Sequence, residues 1–177
     1  MSRRISSSEK AVVSQAERDI RARLHDHELD FTAMSAVSNI YRTGSAVRNH
    51  MERTLLDDYD LSWVAFTVLW VLWIWDAQET GHVAMEAGIT KGTLTGVMKT
   101  LQARKLIRRI PHRNDRRRVS IALTRAGLRL IEEVFPEFNK HETLAVSALS
   151  NTEQHELARL LRLVQLQINS ASAEEKS

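Results

Sequence analysis

Residues 63–75, WVAFTVLWVLWIW, are apolar at every position except Thr67. Thirteen residues cannot cross a bilayer, which takes roughly 20. A helix that is apolar on all sides has to be buried on most of them, and a monomer of 177 residues rarely achieves that. The stretch is therefore expected to lie in a core, with part of it facing a second subunit or a cavity. All four tryptophans, Trp63, Trp70, Trp73 and Trp75, fall within it. They suit a Trp-rich core and the wall of a ligand pocket alike. Asp57-Asp58-Tyr59-Asp60 reads as the turn before it, and Ser62 as its N-cap.

The rest of the chain also reads mostly as helix. A hydrophobic fraction of 43% against 27% charged, with only 2 Pro, argues against disorder and against a loop-rich all-β fold. Val12, Ala16, Ile20 and Leu24 stand four apart and predict an amphipathic helical arm over residues 8–24. Asp30 then caps a second helix running to about Arg53. Along it Ala33, Val37, Ile40, Gly44, Val47 and Met51 alternate spacings of four and three, a coiled-coil-like seam that fits packing within one chain or against a second copy. Thr124 opens a long helix bearing Leu128, Ile131, Val134, Phe135, Phe138, Leu144 and Ala148, with a kink expected at Pro136. Ser150-Asn151-Thr152-Glu153 has the spacing of a capping box. It opens a last helix with Leu157, Leu160, Leu161, Val164 and Ile168 on one side.

Charge is distributed unevenly. Residues 88–118 hold ten Lys and Arg against one acid, Asp115, so this stretch carries +9 and the remainder of the chain −6. Such a surface suits a polyanion, although a solvated charge run would look the same on charge alone. The local pattern decides more. Thr80 is expected to cap a short helix over Gly81 to Ala87, Gly88 suits a left-handed position after it, and Thr90 caps a helix to about Arg104. Two short helices joined by a tight turn containing Gly form a helix-turn-helix. Leu94, Val97, Met98 and Leu101 fall on one face of the second. The opposite face is Lys91, Thr93, Thr95, Gly96, Lys99, Thr100 and Gln102, with no acid. Short side chains without carboxylates let a helix sit deep in a major groove.

Leu106 to His112 and Arg118 to Leu123 read as two strands around a polar tip, Arg113-Asn114-Asp115-Arg116-Arg117. A hairpin in that position is a wing, and arginines at its tip suit the negative potential of a minor groove. Asp115 is expected to pair with Arg117. Lys91, Arg104, Arg113 and the amides at Thr90 are the expected phosphate contacts. Thr93, Thr95, Gly96 and Lys99 are expected at base edges, and Arg116 or Arg117 in the minor groove.

Residues 61–168 resemble the MarR (multiple antibiotic resistance regulator) family of winged-helix transcription factors. The resemblance rests on AGITKGTLTGVMKTLQARKLIRR, DRRRVSIALTRAG and LSNTEQHELARLLRLV. It implies a mainly α fold with a small β-hairpin wing and a homodimer built from N- and C-terminal helices. It also implies a palindromic double-stranded DNA operator. Such proteins usually repress, and often release DNA on binding a small aromatic or anionic effector. The effector is expected between the dimerisation helices and the winged helix, where Tyr41, Arg48, His50, Trp63, Trp70 and Trp73 are the candidates. Arg48 or His50 would hold a carboxylate or phenolate. On this reading residues 1–30 form an arm, 31–56 and 125–170 the dimerisation region, 57–124 the winged helix-turn-helix and 171–177 a flexible tail. Lys105 stands where the family usually has Gly, so the recognition helix is expected to end differently here.

Other functions find little support. There is no cysteine, which excludes disulfides, thiol nucleophiles and Cys-based zinc sites. No nucleophile elbow, phosphate-binding Gly loop or dinucleotide fingerprint occurs, so no enzyme and no cofactor are expected. The seven histidines are scattered, with no pair at the spacing of helical metal ligands. MSRRISSSEK lacks the apolar core of a signal peptide, so a cytoplasmic protein without membrane association is expected. A winged helix that binds protein rather than DNA is the alternative. It would show little salt-dependent affinity for a duplex.

Overall fold

The computed structural model describes residues 14–111 and 119–174. The elements run α1 (Gln15–Arg23), α2 (Phe31–Thr54), a 3-10 turn (Leu56–Tyr59), α3 (Trp63–Trp75), β1 (Gln78–Glu79), α4 (Thr80–Glu86), α5 (Lys91–Ala103), β2 (Ile107–Pro111), β3 (Val119–Leu123), α6 (Arg125–Ala145) and α7 (Asn151–Glu174). The chain divides into two units, one ending at Val47 and one starting at Arg48.

In the first unit, α1 starts at Gln15 because Ser14 caps it. The Ser14 amide donates to the Glu17 carboxylate at 2.7 Å and the Glu17 amide donates to Ser14 Oγ at 3.3 Å, a capping box. The Glu17 carboxylate also accepts from the Ser35 hydroxyl and from Asn39 Nδ2 on α2, so one side chain both caps α1 and ties it to the next helix. These donors, Ser35 foremost, hold the Glu17 carboxyl at about 2, against an ordinary 4.5. Asp30 caps α2 as expected, its Oδ1 accepting from the amides of Thr32 and Ala33. Val37, Ile40 and Tyr41 remain exposed on α2, and a Cβ added at Gly44 would meet nothing within 4 Å. The seam is not filled within the unit.

The second unit is built around α3. Ser62 Oγ accepts from the Ala65 amide, and the Glu52 carboxylate accepts from the Trp63 amide at 2.8 Å, so the end of α2 also caps α3. Thr67, the single polar residue of the stretch, hides its hydroxyl by donating to the Trp63 carbonyl. Ala65, Phe66, Val68, Leu69, Val71 and Leu72 are buried. Along one side α3 packs on α6: Phe66 stacks on Phe138 with ring centroids 4.1 Å apart, and Trp73 meets Phe135 at 5.2 Å. Trp63, Trp70 and Trp73 are half-buried, whereas Ile74 and Trp75 at the end of the helix are exposed. Pro136 lies inside α6, which continues through it to Ala145.

The wing is more than a hairpin. β1 adds a third strand, giving the antiparallel order β1-β3-β2 with Gln78 opposite Ile121 and Arg109 opposite Ile121 on the other side. Two residues preceding a helix carry no periodic signal, so this strand is not legible from pattern alone. At the far end, Ser150 and Glu153 form the expected capping box. The helix they open, α7, buries none of its described side chains, and Leu157, Leu160, Leu161, Val164 and Ile168 are all exposed.

Gly127 is fixed by close approach. A Cβ there would stand 2.0 Å from the Leu106 carbonyl oxygen, which is backbone and cannot turn aside. Gly127→Ala should therefore cost about 3 kcal/mol or more, read as a drop in urea or thermal midpoint. A midpoint within experimental error of the parent would contradict the close approach. Glu17 supplies a pH test. Its pKa is depressed on folding, so its contribution to docking α1 is complete above about 4.5 and is lost as pH falls towards 2. Amide-exchange protection in α1 should fall across that window; protection that stays constant from pH 5 to 2 would contradict it.

Candidate nucleic-acid interface

The helix-turn-helix is α4, a four-residue turn and α5. Glu79, not Thr80, takes the N-cap position of α4: Glu79 is the extended last residue of β1 and Thr80 is already helical. Val83 and Ala84 are buried against the unit's core. Gly88 adopts φ +64°. Its amide bonds the Met85 carbonyl and that of Ile89 bonds the Ala84 carbonyl, the Schellman pattern that stops α4. Thr90 then caps α5, its Oγ1 accepting from the Thr93 amide at 3.1 Å.

α5 buries Leu94, Met98 and Leu101 and exposes Lys91, Gly92, Thr93, Thr95, Gly96, Lys99 and Thr100. The Thr95 hydroxyl donates to the Lys91 carbonyl at 2.9 Å. Nothing lies within 4 Å of a Cβ built at Gly96, and at Gly92 only the Thr90 hydroxyl, at 3.7 Å. Glycine inside a helix costs roughly 0.5–1 kcal/mol relative to alanine. The packing of this chain gives no return for that cost at either position.

The far end of α5 is held on two sides. Lys105 has φ +58°, its amide bonds the Gln102 carbonyl and the Leu106 amide bonds that of Leu101. The helix thus ends in the left-handed way that glycine would serve, and the expectation of a different ending is corrected. The roughly 1 kcal/mol this conformation costs a lysine is offset by Thr124, whose hydroxyl donates to the Lys105 carbonyl at 2.7 Å and whose amide donates to the Leu106 carbonyl. On the other side Arg104 donates to the carbonyls of Asp60 and Tyr59, the latter at 2.8 Å. Arg104 was expected on phosphate; its guanidinium is engaged within the chain.

Successive residues of β2 face opposite ways. Arg108 lines a cavity of about 400 Å³ with Leu72, Trp73, Asp76, Arg125 and Leu128, between the end of α3, the sheet and the start of α6. Arg109 lines a second concavity of about 290 Å³ between α5 and the sheet, with Lys91, Leu94, Thr95, Met98 and Val119. Neither arginine was singled out as a site residue from the sequence. The alternation of the strand was the available signal. Arg113, Asp115, Arg116 and Arg117, with the expected Asp115–Arg117 pair, lie outside the described residues.

Of the expected effector residues, Trp73 lines the 400 Å³ cavity. Trp63 packs on Phe138 at 5.8 Å and Trp70 meets Trp75 edge-on at 5.6 Å. Arg48 is exposed, and Tyr41 is exposed in the first unit. His50 Nε2 lies 3.1 Å from Nδ1 of His141, a pair 91 positions apart that no local spacing could reveal. Among the described residues no three His, Cys, Asp or Glu are grouped to hold a metal ion. Asp76, in the cavity wall, has φ +56° and ψ −146°, a conformation that costs a non-glycine residue about 1–3 kcal/mol. Among the described residues no helix is long and apolar enough to cross a membrane.

Comparison with known proteins agrees with this geometry. The model of the MarR family matches residues 61–119. YwaE of Bacillus subtilis (strain 168), an HTH-type transcriptional regulator, is 40% identical over 136 residues, which are 77% of this chain and 80% of that protein. BpsR of Bordetella bronchiseptica, whose DNA binding is regulated by 6-hydroxynicotinic acid, superposes with a TM-score of 0.69 at 27% identity, over 73% of this chain and 98% of its own. MepR of S. aureus, solved as a DNA complex, gives 0.65 at 26% identity, over 72% and 96%. With its helix-turn-helix, its three-stranded wing and these relatives, the chain belongs to the MarR family of transcriptional regulators.

Proposed function

We propose that the protein binds a palindromic DNA operator as a homodimer, represses from it, and is released by a small aromatic anion. The observation that carries the reading is the exposed face of α5. It holds two lysines, three threonines and two glycines with no acid, and the space beside Gly96 is open. A helix that keeps glycine where its own packing does not ask for it is shaped for something outside the chain. A major groove is such a surface, reached closely by backbone and short side chains.

The dimer is supported by α7. A 24-residue helix whose apolar stripe is exposed would not stand alone in water, since isolated helices draw most of their stability from packing. A second copy covers it most simply, in register with the half-sites of a palindrome. The effector is assigned to the 400 Å³ cavity. Arg108 and Arg125 would hold a carboxylate, and Trp73 and Leu128 an aromatic ring. That BpsR responds to an aromatic acid favours the same class of ligand here.

Three outcomes test the reading. Lys99→Ala should change preference among operator variants, whereas Lys91→Ala should weaken all of them about equally; the reverse result would exchange their roles. Gly96→Ala should raise the thermal midpoint, by about 0.5–1 kcal/mol of stability, and yet weaken operator binding. Tighter binding would contradict close approach at this face. Intrinsic tryptophan fluorescence should respond to 6-hydroxynicotinic acid or another aromatic acid in a panel, and the response should be lost in Arg108→Ala. A flat titration across the panel would count against the cavity as an effector site.

A further inference from the structure

We infer that the concavity between α5 and the wing is a seat for one DNA phosphate, held by Arg109 and Lys91. This deepens the DNA-binding reading and rests on it. A winged helix with α5 in a major groove and its hairpin in the neighbouring minor groove is crossed by the sugar-phosphate strand that separates the two. That strand must pass over the saddle between α5 and the sheet. The saddle is concave, about 290 Å³, with Leu94, Met98 and Val119 as an apolar floor. Its charged lining is Lys91 from the helix and Arg109 from β2, two cations from different elements. Among the described residues no carboxylate lies within ion-pair distance of either.

The chemistry divides between the two side chains. The guanidinium of Arg109 can present two parallel N–H donors to two phosphate oxygens, which fixes the orientation of the phosphate. Lys91 adds a point charge from the first turn of α5. Thr80 and Thr95 also line the saddle; the Thr95 proton is already donated to the Lys91 carbonyl, and the charge of the anion is met by the two cations. Arg109 thereby sets the distance between the groove entered by α5 and the groove entered by the wing, without reading a base itself.

The test is equilibrium binding, by fluorescence anisotropy over a range of salt, of full-length protein to duplexes from its own promoter. Parent, Arg109→Ala, Arg109→Lys and Arg129→Ala are compared. Arg129 is an exposed cation of α6 that lines neither cavity, and its removal changes net charge equally. Arg109→Ala should weaken every duplex on the order of tenfold. It should also reduce the slope of log affinity against log salt by about 0.9 for each seat lost. Arg109→Lys should keep the slope and lose part of the affinity, and Arg129→Ala should leave the slope unchanged. A duplex carrying a neutral methylphosphonate at the bridging phosphate should weaken the parent but not Arg109→Ala. An unchanged slope in Arg109→Ala, an equal loss in Arg129→Ala, or an altered base preference would each overturn the seat while leaving DNA binding intact. A parent that binds no duplex at low salt would overturn both.

Discussion

The carbonyl of Leu106 is the point on which this winged helix turns. It accepts the amide of Thr124 and lies so close to Gly127 that no side chain fits between them. One residue earlier, the Lys105 carbonyl takes the Thr124 hydroxyl. The end of α5, the return of the wing and the start of α6 are thereby locked at a single junction, and Arg104 fastens the same end of α5 to the turn before α3. α5 would otherwise be a two-ended rod held mainly by Leu94, Met98 and Leu101. With its end clamped, its angle to the wing is a fixed quantity. A helix and a wing that are to meet one partner together need such a fixed angle.

Much of this was legible in the sequence, and what was legible was local. Asp30, Ser62, Thr90, Thr124 and Ser150 cap the helices that their positions announce, because a cap acts over three residues and leaves a short pattern. Gly88 ends α4 for the same reason. The acid-free face of α5 follows from period alone. The unread features join distant parts of the chain. Gly127 has the pattern of any glycine early in a helix, and what requires it is the distant Leu106 carbonyl. Arg104 reads from the sequence as a phosphate contact, whereas its guanidinium donates to the carbonyls of Tyr59 and Asp60. His50 and His141 carry no mutual signature. β1 was too short to show a period, and α4 starts one residue earlier than its Thr80 suggests.

The effector candidates teach a related lesson. Trp63, Trp70 and Trp73 are expected together at the effector cleft that the family resemblance implies, yet their helix points them in several directions. Trp63 and Trp70 find aromatic partners within the fold, and Trp73 reaches a cavity wall. The cations beside that cavity come from elsewhere. Arg108 and Arg109 are neighbours in the chain and stand back to back across β2, one toward α3 and α6, the other toward α5.

Thr95 carries one more implication. A hydroxyl has a single hydrogen, and this one is committed to the main chain of its own helix. Toward the outside it offers lone pairs alone, so any edge meeting it has to bring the hydrogen. In a major groove the groups that could do so are the exocyclic amines of cytosine and adenine, whereas the keto oxygens of guanine and thymine carry no hydrogen to give. A side chain with no formal charge is thus turned from a donor and acceptor into an acceptor alone by the fourth carbonyl before it.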